Sequence, residues 1–211
     1  MSGAWRRLRG PVWVDLANSP HVLFFQPILA ELTRRGVGTV VTARDFAQTA
    51  DLCALMHVEA QMIGVHGGGH IVAKGLTMLS RVRHLRSYAQ AARPVVAVSH
   101  NSYAQAVAAR SLGLPVVTAM DYEFQPANHL AFRCASLVIV PDAYPLDALR
   151  HQGARPTRTW RYPGLKEEIE FLGPVKMRDV EAAQTDIVSK VRALEETGEI
   201  VLSAGTDDVI L

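Results

Sequence analysis

Short apolar runs and amphipathic stretches alternate along the first two thirds of the chain. "PVWVDL" (11–16), "GTVVTA" (38–43), "EAQMIG" (59–64), "PVVAVSH" (94–100), "PVVTAMD" (115–121) and "SLVIVP" (136–141) read as strands. Helical patterns stand between them. "FFQPILAELTRRG" (24–36) puts Phe25, Ile28, Leu29 and Leu32 on one face and stops at Gly36. "DFAQTADLCALMH" (45–57) opens with Asp45 and Gln48 near capping-box spacing, which predicts Asp45 as its N-cap. "IVAKGLTMLSRVRHLRSYAQAA" (71–92) is a long basic helix, and "SYAQAVAARSLG" (102–113) is a helix ended by Gly113. In the long helix, Leu76, Leu79, Val82 and Leu85 are expected on the sheet, and Arg81, Arg83, His84 and Arg86 in water. Strands separated by helices predict right-handed crossovers and an α/β class: a Rossmann-like parallel sheet with helices on both faces.

That architecture singles out three turns. In an open parallel sheet, ligands sit beyond the carboxyl ends of the strands, at the switch point of strand order. For the order 3-2-1-4-5-6 the crevice lies between the first and fourth strands. "LANSPHVL" (16–23), "HNSY" (100–103) and "DYEFQPANH" (121–129) then converge, with His21, His100 and His129 at equivalent strand ends.

The first of these turns has no glycine, so its backbone is not suited to the close approach that a dinucleotide pyrophosphate needs. Two readings stand for it. Asn18 or Ser19 caps the next helix and Asp15 bonds the loop backbone, or His21, near a helix N-terminus, faces a polar or anionic ligand. In the third turn Asp121 and Glu123 are candidate general bases if burial lifts a carboxyl towards neutrality. Gln125, Asn128 and His129 suit sugar hydroxyls, and the competing reading of Asn128 is a cap on "HLAFRCA". Arg44 meets a phosphate or water. "HGGGH" (66–70) offers His66 and His70, a weak metal pair with no acidic ligand near in sequence. His57, His84 and His151 read as surface or packing residues.

Composition narrows the field. The net charge of +2 over 211 residues argues for no nucleic-acid partner. Two distant cysteines, Cys53 and Cys134, support neither a disulfide framework nor a zinc ribbon, and fit a cytoplasmic setting. No signal peptide or spanning segment is expected, although the basic helix also suits peripheral contact with anionic lipid. No nucleophile elbow and no Walker loop occurs, and neither a cofactor nor a metal is expected.

"DLANSPHVLFF", "TARDFAQT", "SHNSYAQA", "MDYEFQPANHLAFRCA", "VIVP" and "YPGLKEE" follow one another at successive strand ends. Together, over about residues 12–170, they resemble the prokaryotic family called domain of unknown function 354. That family is similar to GT-B glycosyltransferases and to non-hydrolysing nucleotide-sugar 2-epimerases, in which two Rossmann-like domains face each other across a cleft. The resemblance implies that residues 1–170 form the N-terminal, acceptor-side domain of such an enzyme, with the nucleotide-sugar donor held chiefly by a second domain. It implies catalytic roles for His21, Asp121 and Glu123. It implies substrate contacts from Asp15, Asn18, Ser19, Arg44, His66, Gly67, His100, Ser102, Tyr103, Tyr122, Gln125, Asn128 and His129. Asp45 also matches, and Tyr162, Gly164, Lys166 and Glu167 fit the segment leading out of the domain. Residues 171–211 match the pattern poorly. One helical pattern (Val180, Ile187, Val191, Leu194) and one strand-like run (Ile200 to Ala204) read as a linker helix and the truncated start of a second domain. The expectation is half of a GT-B-like glycosyltransferase that uses a nucleotide sugar and an acceptor and is inactive alone. The alternatives are a 2-epimerase-like enzyme and a non-catalytic binding module or fragment.

Overall fold

The computed structural model describes residues 10–65, 71–164 and 166. Seven parallel strands form one sheet: β1 (Val12–Leu16), β2 (Thr39–Asp45), β3 (Gln61–Val65), β4 (Val96–His100), β5 (Val116–Ala119), β6 (Leu137–Pro141) and β7 (Thr159–Tyr162). The order is β3-β2-β1-β4-β5-β6-β7, so the expected order holds and gains a strand. The crossovers are α1 (Ser19–Arg34), α2 (Thr49–Leu55), α3 (Ile71–Ala92), α4 (Tyr103–Ser111), α5 (Asn128–Cys134) and α6 (Leu146–Gln152). The short α6 and β7 lie in "YPLDALRHQGARPTRTWRY", which the hydrophobic pattern left unassigned.

Period-two alternation sorts β1 between two cores. Val12, Val14 and Leu16 join Val22, Phe24, Phe25 and Leu32 of α1 on one face. Trp13 packs on the other face with Leu85 and Ala89 of α3 and the alanines of α4. On β4, Val96 and Val98 belong with the α1 side and Ala97 with the α3–α4 side. By this parity His100 emerges toward α1 and Asp15 toward α3.

Three local expectations are corrected. α1 begins at Ser19, five residues before Phe24, because Asn18 is extended and caps it and a proline occupies the first turn. The turn "ANSPH" is thus mostly helix start, and His21 lies in the first turn of α1. Asp45 is no helix cap: it ends β2, exposed, and α2 starts at Thr49 after Ala47 takes a left-handed φ of 51°. Arg81 does not face water but is buried at 5% exposure, whereas Leu76 and Leu79 are exposed; Arg83, His84 and Arg86 are exposed as expected. The buried carboxylate of Asp15 draws Arg81 inward. Among the described residues no helix is long and apolar enough to cross a membrane.

Candidate functional site

Beneath the carboxyl ends of β1 and β4 lies a closed polar hub. Asp15 is fully buried. Arg81 Nη2 donates to both of its oxygens at 2.9 and 3.0 Å, and Arg81 Nε donates to the carbonyl of Ile63 at 3.0 Å. The Ser102 hydroxyl donates to Asp15 Oδ2, and the Thr42 hydroxyl to Oδ1 at 2.5 Å. Trp13 Nε1 donates in turn to Thr42 at 2.9 Å. The partners of Asp15 are therefore side chains from β2, α3 and the start of α4, not the backbone of its own loop. Ser102 also caps α4 by accepting from the backbone N–H of Gln105. A buried, paired, multiply hydrogen-bonded carboxylate of this kind ties elements together. Gly64 makes room for the arrangement: its φ is +84°, and a Cβ there would lie 2.9 Å from Arg81 Cδ.

On the α1 side of the same strand ends, five side chains meet. His21 of α1 and His100 of β4 have ring centroids 5.0 Å apart, and Phe24 packs on His100 at 5.5 Å. His100 Nε2 lies 3.4 Å from Asp121 Oδ1, and Lys166 Nζ lies 2.8 Å from Asp121 Oδ2. Residues from the ends of β1, β4 and β5 and from beyond β7 thus converge at the switch point.

The electrostatics assign distinct states to these groups. His21 is enclosed on most sides, and burial, reinforced by the neighbouring His100 and by the Lys166 ammonium, holds its pKa well below the ordinary 6.5. It is neutral at pH 7. Its Nδ1 accepts the backbone N–H of Ala17 at 3.2 Å, which places the ring proton on Nε2. His21 is therefore a hydrogen-bond donor through Nε2, and proton capture at Nδ1 requires breaking the bond to Ala17. Burial raises the pKa of Asp121, but hydrogen bonds and charge from His100 and Lys166 outweigh it and hold the carboxyl well below the usual range. That is opposite to the lift a general base requires.

The loop after β5 is fixed from below. Asn128 is fully buried and sits inside the first turn of α5 without capping it. Its Nδ2 donates to the Tyr122 carbonyl and to the Tyr144 hydroxyl, each at 2.9 Å, and its Oδ1 accepts from Asn101 Nδ2 at 2.8 Å. Tyr144 donates to Gln152 Oε1 at 2.6 Å, and Gln152 donates to the Glu123 carbonyl at 2.5 Å. Burial pushes the Tyr144 hydroxyl up to about 12, so it stays a donor. With its carbonyls pinned, the loop holds Tyr122 and Phe124 outward, 54% and 72% exposed, with ring centroids 5.6 Å apart. Glu123 is half-buried and Gln125 exposed.

The remaining candidates are placed as follows. Asn18 Oδ1 accepts from the N–H of Ser19 at 2.9 Å, and Ser19 Oγ accepts from the N–H of Gln48 at 3.2 Å, linking α1 to the start of α2. Arg44 lies over the Phe46 ring at 5.5 Å, and its Nε is buried without a hydrogen-bond partner. Tyr103 is half-buried in the first turn of α4. His129 belongs to a separate group, 5.1 Å from the His151 ring and beside Arg133, and no described contact joins it to His21 or His100. His66, Gly67, His70 and Glu167 lie outside the described residues. Among the described residues no group of three or more His, Cys, Asp or Glu could hold a metal ion. Sequence reasoning missed Phe24, Phe124 and Arg81. It treated Lys166 only as part of an exit segment. The exposed aromatic pair was visible as "DYEF", whereas the Lys166 contact spans 45 residues and had no local signal.

A family model described as "protein of unknown function (DUF354)" matches residues 11–206, and the chain belongs to that family. The match runs past residue 170, where the sequence resemblance faded. An uncharacterised protein of Methanocaldococcus jannaschii is 30% identical over 145 residues, 68% of this chain and 42% of the relative. A 47-residue stretch, 22% of this chain, is 62% identical to the flagellar motor switch protein FliG of Bacillus subtilis and covers 14% of it. Among solved structures, UDP-GlcNAc 2-epimerase from Neisseria meningitidis bound to UDP-GlcNAc superposes with a TM-score of 0.60 at 11% identity, covering 82% of this chain and 52% of that one. MurG of Acinetobacter baumannii gives 0.53 at 17% identity, covering 64% and 43%. The α/β Rossmann-like fold is thus the one shared by these GT-B proteins, and the chain spans about half the length of the structures it matches.

Proposed function

We propose that this chain supplies the acceptor-side wall of a nucleotide-sugar-dependent enzyme of the GT-B glycosyltransferase kind. The observation that carries the reading is the convergence of His21, His100, Asp121 and Lys166 at the switch point of the sheet. In this reading His21 donates from Nε2 to an oxygen of the substrate. Asp121 stays ionised and positions His100 and Lys166; the Lys166 ammonium suits a phosphate or a developing oxyanion. Tyr122 and Phe124 offer aromatic faces to a sugar ring. Glu123, with no side-chain hydrogen bond or ion pair among the described residues, takes the role of general base. UDP-GlcNAc, carried by the Neisseria structure, is the first donor to try.

The test uses the longer Methanocaldococcus relative, incubated with UDP-GlcNAc and candidate acceptors. Alanine at the position corresponding to His21 is expected to lower turnover about 100-fold while leaving donor affinity nearly unchanged. Unchanged turnover would sink the assignment. A second reading, 2-epimerisation, draws on the epimerase fold match. It is favoured if a nucleotide-sugar isomer accumulates with no acceptor present.

A further inference from the structure

At the opposite, amino end of the sheet is a cavity of about 440 Å³. It is bounded by the residues leading into β5, β6 and β7 and by the C-terminal turns of α4 and α5. Four arginines line it, Arg110, Arg133, Arg155 and Arg158, and no Asp or Glu does. Arg133 is engaged: its Nη1 donates to the carbonyls of His129 at 2.6 Å and Gln152 at 2.8 Å, and it lies against Gly153, whose φ is +91°. Arg110, Arg155 and Arg158 make no side-chain hydrogen bond or ion pair among the described residues.

The bland account is that these arginines answer the negative ends of the helices that stop here. The magnitudes argue against it. A helix C-terminus carries about half an elementary charge, and less for helices of two turns. Three such ends, those of α4, α5 and α6, give at most about −1.5 against four guanidinium charges. An excess of two or more positive charges remains around a concave space of the size that holds a small molecule. Arginines from α4, from α5 and from the single turn 155–158 that leads into β7 line this space without a carboxylate, and guanidiniums match the oxygens of phosphate groups.

We propose that this cavity is a binding site for a phosphorylated small molecule, its phosphate groups held by Arg110, Arg155 and Arg158. The site lies at the other end of the sheet from the cleft around His21 and is independent of it. Inorganic pyrophosphate is the probe, titrated calorimetrically into the whole chain at constant ionic strength. The native chain is expected to bind it saturably in the millimolar range or tighter. Replacing Arg155→Gln and Arg158→Gln together is expected to weaken binding about tenfold or more, given the strength of charged hydrogen bonds. Arg83→Gln with Arg86→Gln removes the same charge from the exposed face of α3 and is expected to change affinity less than about twofold. Thermal melting of both variants checks that they fold. No saturable binding by the native chain, or an equal loss in both double variants, would overturn the proposal.

Discussion

At the residue scale, His21 makes the sharpest statement. Its folded pKa lies below its unfolded value, so between the two the unfolded chain binds more protons than the folded one. Stability is therefore lost as pH falls below about 6.5 and stops falling on this account once the folded pKa is passed. His21→Asn keeps an acceptor for the N–H of Ala17 and removes the titration. Urea unfolding at a series of pH values is expected to show a flatter profile from about pH 6.5 downward in this variant than in the native chain. If the His21→Asn profile matches the native one, His21 is not held neutral by its surroundings. The strand-end histidines themselves were legible in the sequence, and so was their convergence once the strand order was assumed. Their chemical states were not: the neutrality of His21 and the ionisation of Asp121 depend on Lys166 and on enclosure by distant segments.

At the element scale, α3 shows where periodicity misleads. The pattern put Arg81 in water and Leu76 and Leu79 on the sheet, and the structure reverses both. Burying a guanidinium is unfavourable alone, but Asp15 is already buried at the end of β1 and needs a counter-charge. Nothing near Asp15 in sequence announces a partner 66 residues away. Arg81→Met leaves that carboxylate unpaired and is expected to destabilise the chain by about 3–5 kcal/mol, read by urea denaturation. Adding Asp15→Asn to the same chain is expected to recover part of the loss. A loss in Arg81→Met no larger than that of a surface substitution would show that the pair does not bind α3 to β1. Gly64→Ala attacks the same joint from β3. The left-handed φ alone costs about 1–2 kcal/mol, and the new Cβ displaces the Arg81 side chain, so the thermal midpoint is expected to fall. The capping of α2 is another local failure: the Asp45 and Gln48 spacing was right for a cap, but β2 runs on through Asp45 and pairs it with Val65 of β3. Tertiary pairing decided the boundary.

At the scale of the whole molecule, the sheet order and two-sided burial follow from alternation of apolar strands and amphipathic helices. Five of the first six strands were readable as β-branched runs next to a turn signal, and β3 ("QMIGV") as a short apolar stretch before the glycine-rich segment. β7 was not, because "TWRY" has four residues and two of them are polar. The carboxyl end of this sheet gathers a donor imidazole, a paired carboxylate with two basic neighbours, and an exposed aromatic pair. The amino end gathers arginines. On the proposed function, the carboxyl end is the wall of a substrate cleft. The direct measurement is a crystal structure of the longer Methanocaldococcus relative with UDP-GlcNAc and, once found, an acceptor. The counterparts of His21, His100 and Tyr122 are expected within about 3–4 Å of bound substrate atoms. A substrate-filled site with no contact from any of these three positions would contradict it.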